Sequence, residues 1–296
     1  MIKTFDAHQA TTTVHLLAEG PAWDRRRESV WWVDIDAGEV LRGTIRSGAI
    51  DVVHRVALGT TVGAVVPSSD GGQLVAAGHE LMRVAPDGTV ASLVPVIEHE
   101  PGRRLNDGKC DPAGRFLVGS LTLNKTSSAE VLVRLERDRT LTVIDSDLSL
   151  SNGLGWSPDG RTMYSVDSGP GVVWRRPYEP DGMAVGARRE AFRIRDGLPD
   201  GMCIDVEGSL WVAVWGAGEV RRYGPAGDMQ ARVRVPAPNV TSASFVGSDL
   251  DQLLITTASI GLAPRDLERM PASGCLFLAD VGVRGRPVAA WTETTS

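Results

Sequence analysis

The chain has 296 residues, 42% of them apolar and 23% charged, and carries a formal net charge of −6. That balance suits a folded chain with a sizeable core and excludes a largely disordered one. An acidic chain without a basic run interleaved with aromatics gives no support to a nucleic-acid partner, and without 18 consecutive apolar residues no spanning helix or membrane partner is expected.

The N-terminal Met1–His8 lacks a basic segment followed by an apolar one, so no secretory signal is read and a cytoplasmic location is expected. Thr11–Leu17 alternates as a strand does. From there the chain repeats. Apolar strand cores begin at Trp31, Leu74, Phe116, Met163, Leu210 and Leu253, between 42 and 47 residues apart. Each is followed by a further strand opening at Glu39, Glu80, Glu130, Gly171, Glu219 and Gly274. Turn signals such as Pro86-Asp-Gly88, Pro112-Ala-Gly114 and Pro158-Asp-Gly160 punctuate the hairpins. Several short strands in a period of roughly 40–50 residues are the signature of propeller blades. The spacing therefore predicts an all-β, six-bladed β-propeller, one domain over residues 1–296, with little helix. Leu262–Ser273, with Pro264 and Pro271, interrupts the last blade as a short helix or surface loop. Either Thr11–Leu17 or Pro287–Trp291 is expected to close the ring.

The repeat also acts as a ruler. Glu19, Val62, Asn106, Asn152, Asp200 and Ser242 each stand five residues before a hairpin turn, at intervals of 42 to 48 residues. Innermost propeller strands line a central channel, so these residues should form one layer around the axis. Two carboxylates and two amides facing one another there call for a cation held by oxygen ligands.

Other chemistry is weakly signalled. Cys110, Cys203 and Cys275 have no metal-ligand spacing and read as buried free thiols. The five histidines all precede residue 100, and neither a Gly-x-Ser-x-Gly elbow, a P-loop nor a dinucleotide fingerprint is present. The tryptophans read as filler between blades, with the channel mouth as the alternative place for Trp215, which Gly216-Ala-Gly218 follows directly.

Glu19-Gly-Pro-Ala-Trp23, Arg104-Leu-Asn-Asp-Gly-Lys109, Ser151-Asn-Gly-Leu154 and Pro199-Asp-Gly-Met-Cys-Ile-Asp205, in that order, resemble the regucalcin/gluconolactonase/luciferin-regenerating-enzyme family. The resemblance extends over essentially the whole chain. It implies a six-bladed propeller with one divalent metal on its axis, held by Glu19, Asn152 and Asp200. It also implies that Arg104 and Asn106 contact a sugar lactone. The family's substrate-contacting glutamate aligns with Asn124, which can hydrogen-bond a hydroxyl but brings no charge.

Oxygen ligands of this kind suit calcium first, then magnesium or manganese, with zinc where water completes the shell. Three protein ligands leave coordination positions open for substrate. The expected reaction is metal-dependent opening of a small-molecule lactone, with Asp200 activating water and Arg104, Asn106 and Asn124 holding the substrate. Competing readings are a calcium-binding regulatory protein without turnover, hydrolysis of another ester or a phosphotriester, and an interaction platform. The local alternative for Arg104 is an ion pair with Asp107 or Glu100.

Overall fold

The computed structural model describes residues 2–123 and 128–293. Its strands form six sheets arranged as the blades of a propeller. Blade 1 runs outward from the axis through Ala18–Asp24, Ser29–Asp34, Glu39–Arg46 and Ala49–Ala57. Blades 2 to 6 begin on the innermost strands Val62–Pro67, Arg103–Cys110, Ser151–Trp156, Leu198–Ile204 and Val240–Val246. All strand pairs within a blade are antiparallel, apart from one added N-terminal strand.

Why these sequences take these places follows from burial. The second strand of blade 1 is Ser-Val-Trp-Trp-Val-Asp, buried at every position, because a strand covered on both faces reads as an unbroken apolar run. Its outermost strand is mostly exposed and mixes charged and apolar residues. Successive side chains of a strand point to opposite faces. Trp31 accordingly packs with Val65 and Val75 of blade 2, and Trp32 with Val246 and Leu254 of blade 6. The filler role holds for these two and for Trp211, which packs against Phe245 of blade 6. Apolar clusters of this kind join each blade to the next around the ring. The three cysteines are free and buried, as expected.

Ring closure differs from both expected routes. Lys3–Asp6 pairs parallel with Ala231–Arg234 at the outer edge of blade 5, and His8–Gln9 then supplies the fourth strand of blade 6 against Phe277 and Leu278. Thr11–Leu17 forms no regular strand: it joins the last blade through one isolated bridge, Leu17 to Ala258, and scattered backbone bonds such as His15 N–H to the Gly274 carbonyl at 2.8 Å. The reason is local: the buried strand Phe277–Asp280 leaves an apolar edge that two residues of the arm suffice to cover. The Ala10 N–H then donates to the Leu276 carbonyl at 2.8 Å, and its carbonyl accepts from Ile50 of blade 1 at 2.7 Å.

Pro287–Trp291 does other work. Residues 284–292 cross the far end of the channel, where Val206 donates to the Arg284 carbonyl and Thr292 donates to the Gly114 carbonyl. Trp291 lies buried between blades 2 and 3. The last blade is interrupted by a short helix, Pro264–Arg269, as its two prolines suggested. Among the described residues no helix is long and apolar enough to cross a membrane.

Candidate axial site

The six residues picked out by the ruler lie near the N-terminal ends of the six innermost strands, and all are buried. Pairing explains how. In every blade the register between the first and second strands slips close to the layer residue: between Glu19 and Ala22, Val62 and Ala64, Leu105 and Gly108, Asn152 and Leu154, Pro199 and Met202, and Val240 and Ser242. A bulge re-aims a side chain that regular pleating would send elsewhere. Glycine follows the layer residue in four blades, and three of these glycines let a neighbouring blade approach. A Cβ on Gly63 would stand 2.6 Å from the Asn106 carbonyl, one on Gly153 2.5 Å from the Asp200 carbonyl, and one on Gly201 2.1 Å from Ser242 Oγ.

The polar members touch. Asn106 Nδ2 donates to the Ser151 carbonyl at 2.9 Å and to Asn152 Oδ1 at 3.1 Å. Asn152 Nδ2 donates to Ser168 Oγ at 3.0 Å and also supports the Asp200 carboxylate. The Arg104 guanidinium reaches Asn106 Oδ1 at 2.7 Å and the Leu105 carbonyl at 3.0 Å, while its buried Nε has no partner among the described residues. Among the described residues Arg104 makes no ion pair with Asp107 or Glu100. It is Arg103 that pairs with Glu100 and Glu130. Asn124 lies outside the described residues.

Burial raises the Asp200 carboxyl well above the usual range, the nearby charge of Asp107 adds to this, and Arg104, the Gly201 N–H and Asn152 oppose it. Glu19 is likewise raised well above its ordinary value, by burial first and then by Asp200 and Asp107. Arg104 is lowered by burial, against the pull of Asp36, Glu19 and Asp200. Asp107 is the residue the sequence reading passed over. It is buried beside the layer and raised by desolvation, with Lys109 and the Gly108 N–H opposing. The repeat gave no signal for it, because it falls one residue out of the layer's phase and its burial depends on the register slip between Leu105 and Gly108.

These oxygens fit a divalent cation. Buried carboxylates that repel one another are costly unless a positive charge lies between them, and Arg104 is the cation that the structure places near both. Among the described residues no three His, Cys, Asp or Glu side chains gather in metal-holding geometry by themselves. The oxygens that a cation on the axis would find are those of Glu19 and Asp200 with the amide oxygen of Asn152, a hard set. Asn152 Oδ1 already accepts one hydrogen bond, which leaves one lone pair free.

Beyond the layer the channel widens. Cavities of about 550 and 330 Å³ share Lys109, Ser244 and Pro287–Ala289 near the crossing C-terminal segment. Lys109 Nζ donates to the Met202 carbonyl at 2.6 Å.

A six-bladed ring with a layer of buried oxygen donors at one end of its channel defines the class. Comparison with known proteins gives the family: residues 17–259 match the SMP-30/Gluconolactonase/LRE-like region, and the chain belongs to that family. It is 35% identical to regucalcin of Danio rerio over 93% of this chain and 95% of that one. It is 34% identical to pentonolactonase XacC of Haloferax volcanii over 92% and 93%. A solved structure of regucalcin from Agrobacterium tumefaciens, described as a calcium-binding protein, superimposes with a TM-score of 0.90 at 28% identity, covering 98% of this chain and 99% of that one.

Proposed function

We propose that the chain opens lactone rings by hydrolysis with one divalent cation, calcium first, held by Glu19, Asn152 and Asp200. The observation that carries this is the meeting of buried Glu19 and Asp200 with the Asn106–Asn152 pair and the half-satisfied Arg104 in one axial layer. The kinship with a pentonolactonase supports a lactone, and aldonolactones are the first substrates to try. When bound, the cation supplies Lewis-acid polarisation of an ester carbonyl and a lowered water pKa.

The residues divide the remaining work. Asp200, held by Asn152 and the Gly201 N–H, takes a proton from the attacking water. The hydroxyl adds to the acyl carbon, the acyl–oxygen bond breaks, and the proton passes to the ring oxygen, giving a hydroxy acid. The Arg104 guanidinium, whose Nε has no partner among the described residues, donates to a substrate oxygen, and Asn106 keeps Arg104 in place through its 2.7 Å contact. Asn124 adds a neutral hydrogen bond to a substrate hydroxyl.

A metal-content measurement with a panel of lactones followed by pH-stat tests this reading. Asp200→Ala should lose both the cation and turnover. Asp200→Asn, which keeps shape but not charge, should lower kcat by about 100-fold or more, in line with losing a general base. Bound calcium without turnover of any lactone would instead favour a binding protein.

A further inference from the structure

The mouth nearest the axial layer is chemically two-sided. It is framed by the loops that enter the innermost strands and by the turns between the second and third strands of each blade. Blade 3, which carries Arg103, Arg104 and Asn106, stands opposite blade 6 in a six-membered ring. Its neighbours at that end are charged or polar, with Glu98, His99 and Glu100 exposed in the connection from blade 2.

Among the described residues the other side carries large exposed apolar groups, set between the exposed Asp36 turn of blade 1 and the exposed Arg195–Asp196 loop that enters blade 5. Leu16, Leu198 and Ile260 are 49%, 47% and 38% exposed, and Trp215 is half-buried. They are joined by backbone into one arc. Ser259 and Ile260 both donate to the Leu16 carbonyl, at 3.1 and 3.0 Å. Asn239 Nδ2 donates to the Ile260 carbonyl at 3.1 Å, and Asn239 bridges to Trp215. Trp215 is in turn the cross-strand partner of Leu198. The arc is continuous with the site, because Leu16 precedes Glu19 by three residues and Leu198 precedes Asp200 by two. Among the described residues, Leu123 on blade 3 and Val14 beside Gly274 of blade 6 are large exposed apolar residues at this end that stand outside it.

Large exposed apolar groups concentrated beside a polar centre mark a place where something apolar binds. We infer that the arc formed by Leu16, Leu198, Trp215 and Ile260 selects lactones bearing an apolar substituent, which lies over blades 5, 6 and 1 while the ring oxygens face Arg104. The inference rests on the lactone-hydrolase reading above and narrows its substrate class. A fully hydroxylated lactone would leave hydroxyls against Leu198 and Ile260 without partners, whereas an alkyl chain would lose water on both sides.

The test is a series of γ-lactones, unsubstituted and with alkyl tails of two to six carbons, assayed in wild type and in Leu198→Ser/Ile260→Ser. Both substituted side chains are well exposed, so the fold should tolerate the change. Wild-type kcat/KM should rise about threefold per methylene over the first few carbons, and in the double variant by less than about 1.5-fold. Calorimetric titration with the matching alkyl lactams, which resist hydrolysis, reads binding separately from turnover. Hydrolysis and lactam binding that are both flat with tail length overturn the apolar arc. Tail-dependent lactam binding without hydrolysis of any lactone upholds the arc and overturns the hydrolase reading.

Discussion

At the level of single residues, a side chain's role here is set by which partners burial leaves it. His15 shows this away from the axial layer. It is almost fully buried, its Nδ1 sits 2.8 Å from the Gly274 carbonyl, and its Nε2 accepts from the Trp32 indole at 3.1 Å. Only the neutral ring with its proton on Nδ1 satisfies both contacts. Burial accordingly holds its pKa below the ordinary 6.5, with Asp34 and Glu39 pulling upward and Arg55 downward. Below about pH 6.5 the unfolded chain binds a proton that the folded chain refuses. Stability from this residue is thus complete above that pH, falls as pH drops, and levels off below the folded value. His15→Gln should flatten the dependence of unfolding free energy on pH between 7 and 5, measured by urea denaturation. An unchanged slope would remove His15 from the account. Nothing in the sequence marked His15, because its partners lie 17 and 259 residues away. The layer residues were legible because the repeat supplied a phase, and Asp107 escaped because it falls one residue out of that phase.

At the level of strands, the ruler found the layer without finding the bulges that aim it. Each innermost strand slips register close to its layer residue, and in four blades the glycine that follows that residue is the trace this leaves in the sequence. Gly153 is the sharpest instance. An added Cβ would stand 2.5 Å from the Asp200 carbonyl and 2.9 Å from Met202 Cγ, so the obstacle is backbone and cannot swing away. Gly153→Ala should therefore cost about 1–3 kcal/mol of stability, as overpacking does. It should also shift the backbone that carries Asp200. The expected result is a lower melting temperature together with a loss of kcat or cation affinity larger than the stability change accounts for. Normal activity in a merely less stable variant would mean that blade 5 absorbs the displacement elsewhere. Gly20, where an added Cβ meets nothing within 4 Å but φ is +54°, tests backbone strain without crowding.

At the level of the whole molecule, six blades were legible because the period of the apolar cores survives every loop length. How the ring closes was not, because closure takes only a few residues of unremarkable composition. Lys3–Asp6 and His8–Gln9 look like a charged tail, and what makes them strands is the edge they meet. Phe277 and Leu278 are fully buried, and the arm is part of what covers them. Deleting residues 2–9 would remove the parallel ladder on blade 5 and leave blade 6 with three strands. At roughly 1 kcal/mol net for each lost backbone hydrogen bond, several such bonds amount to a few kcal/mol. For a chain somewhat above 250 residues that corresponds to a fall in melting temperature on the order of 10 °C. The opened edges should also promote self-association, since an unpaired strand edge is a template for another chain. Thermal melts and sedimentation velocity of the truncated and full chains read both effects. Equal melting temperatures would show that the staple at Ala10, which joins Leu276 of blade 6 to Ile50 of blade 1, closes the ring without the arm.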